Sequence, residues 1–269
     1  MFPEKKIDTG QVTINYAEGP PSGVPLVLLH GATARWQSWG PFLSQLEPLG
    51  HIYACDLRGH GKSGRVPSGY RAVDYIPDTT AFIQQVIGKP AILLGLSLGG
   101  IIAPGVAAQI PELMRAVILL DPGFFLRDTT VKNFGWPYDY FLSVRDILLG
   151  SRSVEEVIAA LGWEMDETEI QDFSEQIHSV DLDSVTVFLN DQFMDGFNLK
   201  QAVQKITCPT LLLYGEIEKG AVVRESEVDF FHTYAPNGVS IQIKEAGHML
   251  FVDQPALVLN HITQFLSAI

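Results

Sequence analysis

Apolar residues in this chain fall into two patterns, and their succession predicts its architecture. From Gln11 to Tyr16 they alternate with polar residues, which puts Val12, Ile14 and Tyr16 on one face. A period of two predicts a half-buried strand, here paired with residues near Lys6 and Ile7 across Thr9-Gly10. Four later runs are apolar at nearly every position: Leu26 to Leu29, Ala91 to Leu94, Ala116 to Leu120 and Thr210 to Tyr214. Such runs are expected of strands covered by helices on both faces. Pro25, Pro90 and Pro209 stand at the start of three of them, where a strand tolerates proline. Helical periods lie between, as from Asp78 to Ile87 and from Pro255 to Leu266. Strand and helix in alternation predict a doubly wound, mostly parallel sheet.

Ligands bind such a sheet beyond the carboxyl ends of its strands, so reactive residues should follow each run. His30-Gly31, Asp56, Ser97, Asp121, and Glu216 with Glu218 do follow them. The spacing breaks once. About 90 residues separate Asp121 from Thr210, where a βα unit needs only about 30. The excess carries helix signals, because Ser153-x-x-Glu156 and Thr168-x-x-Gln171 both read as capping boxes. Residues 124–205 are therefore expected to form a helical cap over the strand ends, with 1–123 and 206–269 as the core. Aromatic residues crowd this cap, among them Phe125, Trp136, Tyr140, Phe141, Trp163 and Phe188. Most should pack the cap itself, and a minority should line a partly apolar pocket.

Composition changes the picture in a few respects. The chain has 269 residues, 46% hydrophobic and 18% charged, which suits one large globular domain. Its 18 basic and 31 acidic residues give a net charge of −13. That sign argues against nucleic acid and anionic membranes as partners. No run approaches the roughly 18 apolar residues of a membrane span, and Met1 to Lys6 lacks a secretory core. A soluble, cytoplasmic protein acting on a small molecule is expected. Cys55 and Cys208 each sit beside an apolar run, and no Cys-x-x-Cys or His-x-x-x-His pair offers a zinc site. Neither metal nor cofactor is expected.

The strongest local signal is Gly95-Leu96-Ser97-Leu98-Gly99-Gly100, placed after one buried strand and before Ile101-Ile102-Ala103. A strand that turns sharply into a helix with Ser at the apex forms a nucleophile elbow. Small residues before and after Ser leave room for its strained backbone. Three further segments complete a set: His30-Gly31-Ala32, Asp56-Leu57-Arg58-Gly59-His60-Gly61-Lys62-Ser63-Gly64, and Ala246-Gly247-His248. In this order and spacing the four resemble the α/β-hydrolase superfamily over nearly the whole chain apart from the cap. The resemblance implies the α/β-hydrolase fold with an inserted helical cap. It implies Ser97 as nucleophile, His248 as base, and the Leu98 and Ala32 amides as an oxyanion hole. His30 and His60 are expected to order loops rather than move protons.

The triad acid must fall between Ser97 and His248 in the chain. Two positions remain open. Asp121 ends the strand Ala116 to Leu120, and Glu218 stands in Gly215-Glu216-Ile217-Glu218-Lys219, where the superfamily often has Asp. A short aspartate on a rigid strand end is the better preorganised of the two. Gly69-Tyr70, Asp74-Tyr75 and Gly215-Glu216-x-x-Lys219 also loosely resemble the (acetamidomethylene)succinate amidohydrolases, whose acid is placed as Asp121 is. Arg35 and Trp36 follow the oxyanion loop. Arg35 could clamp a substrate carboxylate or pair on the surface. Pro104 falls inside the helix after Ser97 and should kink it. The residues fit a serine hydrolase of small esters, lactones or amides. A carbon–carbon bond hydrolase of the same fold and a slow-turnover ligand sensor remain open beside it.

Overall fold

A computed structural model describes residues 2–269. β1 (Glu4–Asp8) and β2 (Thr13–Glu18) pair antiparallel with Ile7 opposite Ile14. β2 also runs antiparallel to β4 (His51–Cys55). From there the sheet is parallel through β3 (Pro25–Leu29), β5 (Ala91–Leu96), β6 (Met114–Leu120), β7 (Thr210–Tyr214) and β8 (Gly238–Gln242). The order is β1-β2-β4-β3-β5-β6-β7-β8. This is the mostly parallel mixed sheet of an α/β hydrolase.

The continuous apolar runs serve two cores. Val27, Leu29, Leu93, Val117 and Leu119 face one cluster, while Leu26, Leu28, Leu94, Ile118 and Leu120 face the other. α1 (Phe42–Leu46) and α12 (Pro255–Ser267) cover the second face through Phe42, Leu46, Val258 and Ile262. α2 (Ala72–Phe82), α3 (Leu98–Gln109) and α10 (Glu225–Tyr234) cover the first, with Tyr75, Ile102, Val106 and Phe231 buried there. α11 (Leu250–Asp253) leads into α12. Among the described residues, no helix is long and apolar enough to cross a membrane.

Helices fill the interval between β6 and β7: α4 (Val131–Phe134), α5 (Trp136–Leu148), α6 (Val154–Leu161), α7 (Glu167–His178), α8 (Leu182–Leu189) and α9 (Leu199–Gln204). They form the helical cap. Ser153 and Glu156 cap α6 reciprocally, as their spacing predicts. α7 corrects the Thr168 capping box. Its N-cap is Asp166, whose carboxylate accepts the Glu169 amide at 2.9 Å while the Glu169 carboxylate accepts the Asp166 amide at 2.9 Å. An aspartate two residues upstream made the same reciprocal pair first, so Thr168 lies inside the helix.

The helix expected from Asp78 also begins earlier. α2 starts at Ala72, carries Pro77 in its interior and passes at Phe82 into one π turn, Ile83–Ile87. α3 runs on through the buried Pro104 to Gln109. Next to that proline, a side chain at Gly105 would meet the Ile76 Cδ1 atom at 2.3 Å. The α2–α3 contact is close enough that any side chain there would force Ile76 to move.

Candidate active site

The backbone builds this site before any side chain does. Ser97 has φ +50° and ψ −109°, a region that side chains rarely occupy. Its amide donates to the Leu120 carbonyl at 3.0 Å, and its carbonyl accepts from Ile101 at 3.0 Å. The turn is tight enough that a Cβ on Gly95 would lie 2.4 Å from the Gly99 carbonyl carbon, and one on Gly99 2.2 Å from the Leu29 oxygen. These two contacts explain the glycines around the serine. Among the described residues five non-glycines have positive φ, and four of them, Thr33, Ser97, Asp121 and Glu245, lie on segments that converge here. Held strain of this kind concentrates at functional sites.

Asp121 follows β6 at φ +39° and is fully buried. Its Oδ2 atom accepts from His248 Nδ1 at 2.7 Å and from the Val222 amide at 2.8 Å, while Oδ1 accepts from the Val223 amide at 3.3 Å. A buried carboxylate needs such donors to replace the water it has lost. Nδ1 of His248 therefore carries the proton, which turns the Nε2 lone pair outward. Gly215 and Gly247 let the histidine loop come close, since a Cβ on Gly215 would meet the Gly247 oxygen at 2.4 Å.

Two more histidines support the opposite wall. His30 Nδ1 donates to the Gly31 carbonyl at 2.7 Å and its Nε2 accepts the Leu57 amide at 3.0 Å. His60 Nδ1 donates to the Arg58 carbonyl at 2.8 Å and its Nε2 accepts the Thr33 amide at 3.2 Å. Both rings are neutral by these bonds. Burial lowers His30 from 6.5 to about 4 and His60 to about 3, the latter also feeling His30. Asp56 anchors the same wall, accepting from the Trp36 amide at 2.7 Å, Asn15 at 2.8 Å and the Lys62 amide at 2.9 Å.

Ala32 sits between these supports. Thr33 donates its hydroxyl to the Ala32 carbonyl at 2.6 Å and accepts the Tyr140 hydroxyl of α5 at 2.6 Å. Among the described residues, the Leu98 and Ala32 amides donate to no protein acceptor. The Leu98 amide also lies at the positive end of α3. Both residues, with Ser97 and His248, line one cavity of about 920 Å³ roofed by Trp136, Phe141, Trp163 and Phe188. The Trp136 ring meets His248 edge-on at 5.7 Å.

The structure does not bring every candidate residue to this cavity. Glu218 is exposed on the turn Ile217–Lys219, and Asp121 holds the His248 Nδ1 position instead. Arg35 does not line the cavity. It pairs with Asp172 and, at 3.5 Å, with Glu175 of α7. Trp36 is buried beneath the loop and does not line the cavity either. Sequence reasoning missed Thr33, Tyr140, Val222 and Val223. Backbone amides leave no mark in a sequence, and Thr33 and Tyr140 meet only across the fold.

The chain belongs to the alpha/beta hydrolase family, whose model matches residues 26–261. A 2-(acetamidomethylene)succinate hydrolase of Mesorhizobium japonicum is 34% identical over 120 residues, 45% of this chain and 43% of that enzyme. The match thus spans less than half of that relative's length. A pimeloyl-[acyl-carrier protein] methyl ester esterase of Salmonella agona is 27% identical over 256 residues, 90% of this chain and 92% of the esterase. Among solved structures, N-formylmaleamic acid deformylase from Pseudomonas putida aligns with a TM-score of 0.82 at 18% identity, covering 97% of this chain and 100% of that one. An E-2-(acetamidomethylene)succinate hydrolase aligns at 0.75 and 22% identity, covering 99% and 100%. Identities this low carry the fold alone.

Proposed function

We propose that the protein is a serine hydrolase that cleaves a small carboxylic ester, lactone or amide through an acyl-enzyme. The observation that carries this reading is the His248–Asp121 bond of 2.7 Å on the wall of the cavity that Ser97 also lines. Asp121 fixes the histidine tautomer, so Nε2 is free to accept the Ser97 proton. The serine oxygen then bonds to the substrate carbonyl carbon. The carbonyl oxygen becomes an oxyanion held by the amides of Leu98 and Ala32, a kind of contact typically worth ~3 kcal/mol in the transition state. His248 returns the proton to the leaving alcohol or amine, and an acyl-serine remains. Water, deprotonated by the same histidine, attacks that ester. The acid leaves and Ser97 regains its proton.

A fluorophosphonate probe tests the first half of this scheme. It should label the wild type covalently and leave Ser97→Ala unlabelled. Ester hydrolysis should fall by at least about 10⁴-fold in the same variant. Labelling that survives in Ser97→Ala overturns the assignment of the nucleophile.

A further inference from the structure

Every charged side chain in the cavity wall already has a partner inside the protein. Lys219 Nζ lies 2.8 Å from Glu245. Asp172 is held by Arg35. The Glu169 carboxylate accepts the Asp166 amide at 2.9 Å, and that of Asp253 accepts the Gly247 amide at 2.8 Å. His248 is engaged by Asp121, and His30 is neutral by its two bonds. Apart from the histidines, the wall therefore has three carboxylates and one lysine, and the lysine is paired with Glu245 at the surface. The one arginine near the oxyanion loop, Arg35, is turned away into its own ion pairs.

Most of the remaining surface is apolar, and its other polar side chains, such as Gln37, Ser38, Thr168 and Gln176, are uncharged. Ile101 and Val222 rise from the core, and Phe125, Val131, Phe141 and Phe188 close over them. A carboxylate entering this space would give up part of its hydration and meet three carboxylates and, as the one basic side chain besides the histidines, a lysine already paired with Glu245. An alkyl chain would lose only unfavourable hydration.

From this geometry, and resting on the serine-hydrolase reading above, we infer that the substrate is an uncharged acyl compound with an alkyl or aryl acyl chain. The site selects against acyl groups that end in a carboxylate. This separates the chain from relatives named for a succinate, although it shares their fold.

Two fluorophosphonates of equal chain length test the inference without requiring turnover. One ends in a methyl group and the other in a carboxylate. Each inactivation rate is divided by that probe's own spontaneous hydrolysis rate. The methyl-ended probe should react with Ser97 at least about 100-fold faster at pH 7, because the carboxylate meets a mostly apolar wall with three carboxylates and, apart from the histidines, one already paired lysine. Equal rates, or a faster carboxylated probe, overturn the inference and leave the nucleophile standing. If neither probe reacts, or if labelling persists in Ser97→Ala, the serine-hydrolase reading fails and takes this inference with it.

Discussion

Below the cavity, polar atoms are held by backbone. Ser97 is fixed by the Leu120 and Ile101 bonds and Asp121 by the amides of Val222 and Val223, while the Thr33 hydroxyl holds the Ala32 carbonyl. Above it, Trp136, Phe141, Trp163 and Phe188 offer bulk and little direction. Phe141 and Phe188 stack on one another at 4.7 Å, which packs the roof as a small core of its own. The floor has one arrangement that works, because strained dihedrals and short hydrogen bonds allow no drift. The roof tolerates exchange of one apolar residue for another of similar volume. Under the proposed function, chemistry falls to the floor and selection of the acyl chain to the roof.

The sharpest way to break this contrast is at Asp121. Asp121→Asn should lower kcat by about 10⁴-fold through loss of the histidine tautomer, whereas Glu218→Gln should stay within about twofold, since that side chain is exposed. Steady-state kinetics on one ester decide the matter, and comparable losses in both variants would remove Asp121 from its role.

Acid should weaken the floor before the roof. His30 and His60 titrate near 4 and 3 in the fold but near 6.5 when unfolded, so only the unfolded chain takes up their protons between these limits. Their stability contribution is complete above pH 6.5 and is lost as pH falls toward 4. The two together should cost roughly 4 kcal/mol by pH 5. Urea unfolding at pH 7.5 and pH 5 measures it, and replacing His60 by Asn should flatten the slope.

Gly95→Ala should destabilise the protein by about 3 kcal/mol, as its methyl meets the backbone of Gly99. A thermal melt with an unchanged midpoint would show that the elbow has slack. The smallest effect is expected at Tyr140→Phe, which removes the one hydrogen bond from α5 to Thr33. A loss of about 1 kcal/mol should appear as a three- to tenfold drop in kcat with KM unchanged. A change in KM alone would move Tyr140 from the floor's supports to the substrate's contacts.

The same contrast explains what could be read in advance. The parallel strands were legible because runs such as Ala116 to Leu120 are apolar on every residue. The convergence of Ser97 and His248 on one cavity was legible because glycines and strand ends mark them. Asp121 was preferred to Glu218 from its strand end alone, but the amides of Val222 and Val223 that hold it, 101 and 102 residues away, were not legible. Arg35 was readable as a charged residue near the oxyanion loop, but its partners on α7 lie 137 residues and more away. Local rivalry caused the smaller errors. Asp166 caps α7 ahead of Thr168, and α2 absorbs Pro77 in its second turn, where the sequence suggests a start at Asp78.

The donors that surround Asp121 all come from the last fifth of the chain. During synthesis, β6 is made long before residues 222, 223 and 248 emerge. Until then its terminal carboxylate has water and no fixed partner, and nothing compels its left-handed backbone. The reactive centre therefore comes together only when the C-terminal segments dock.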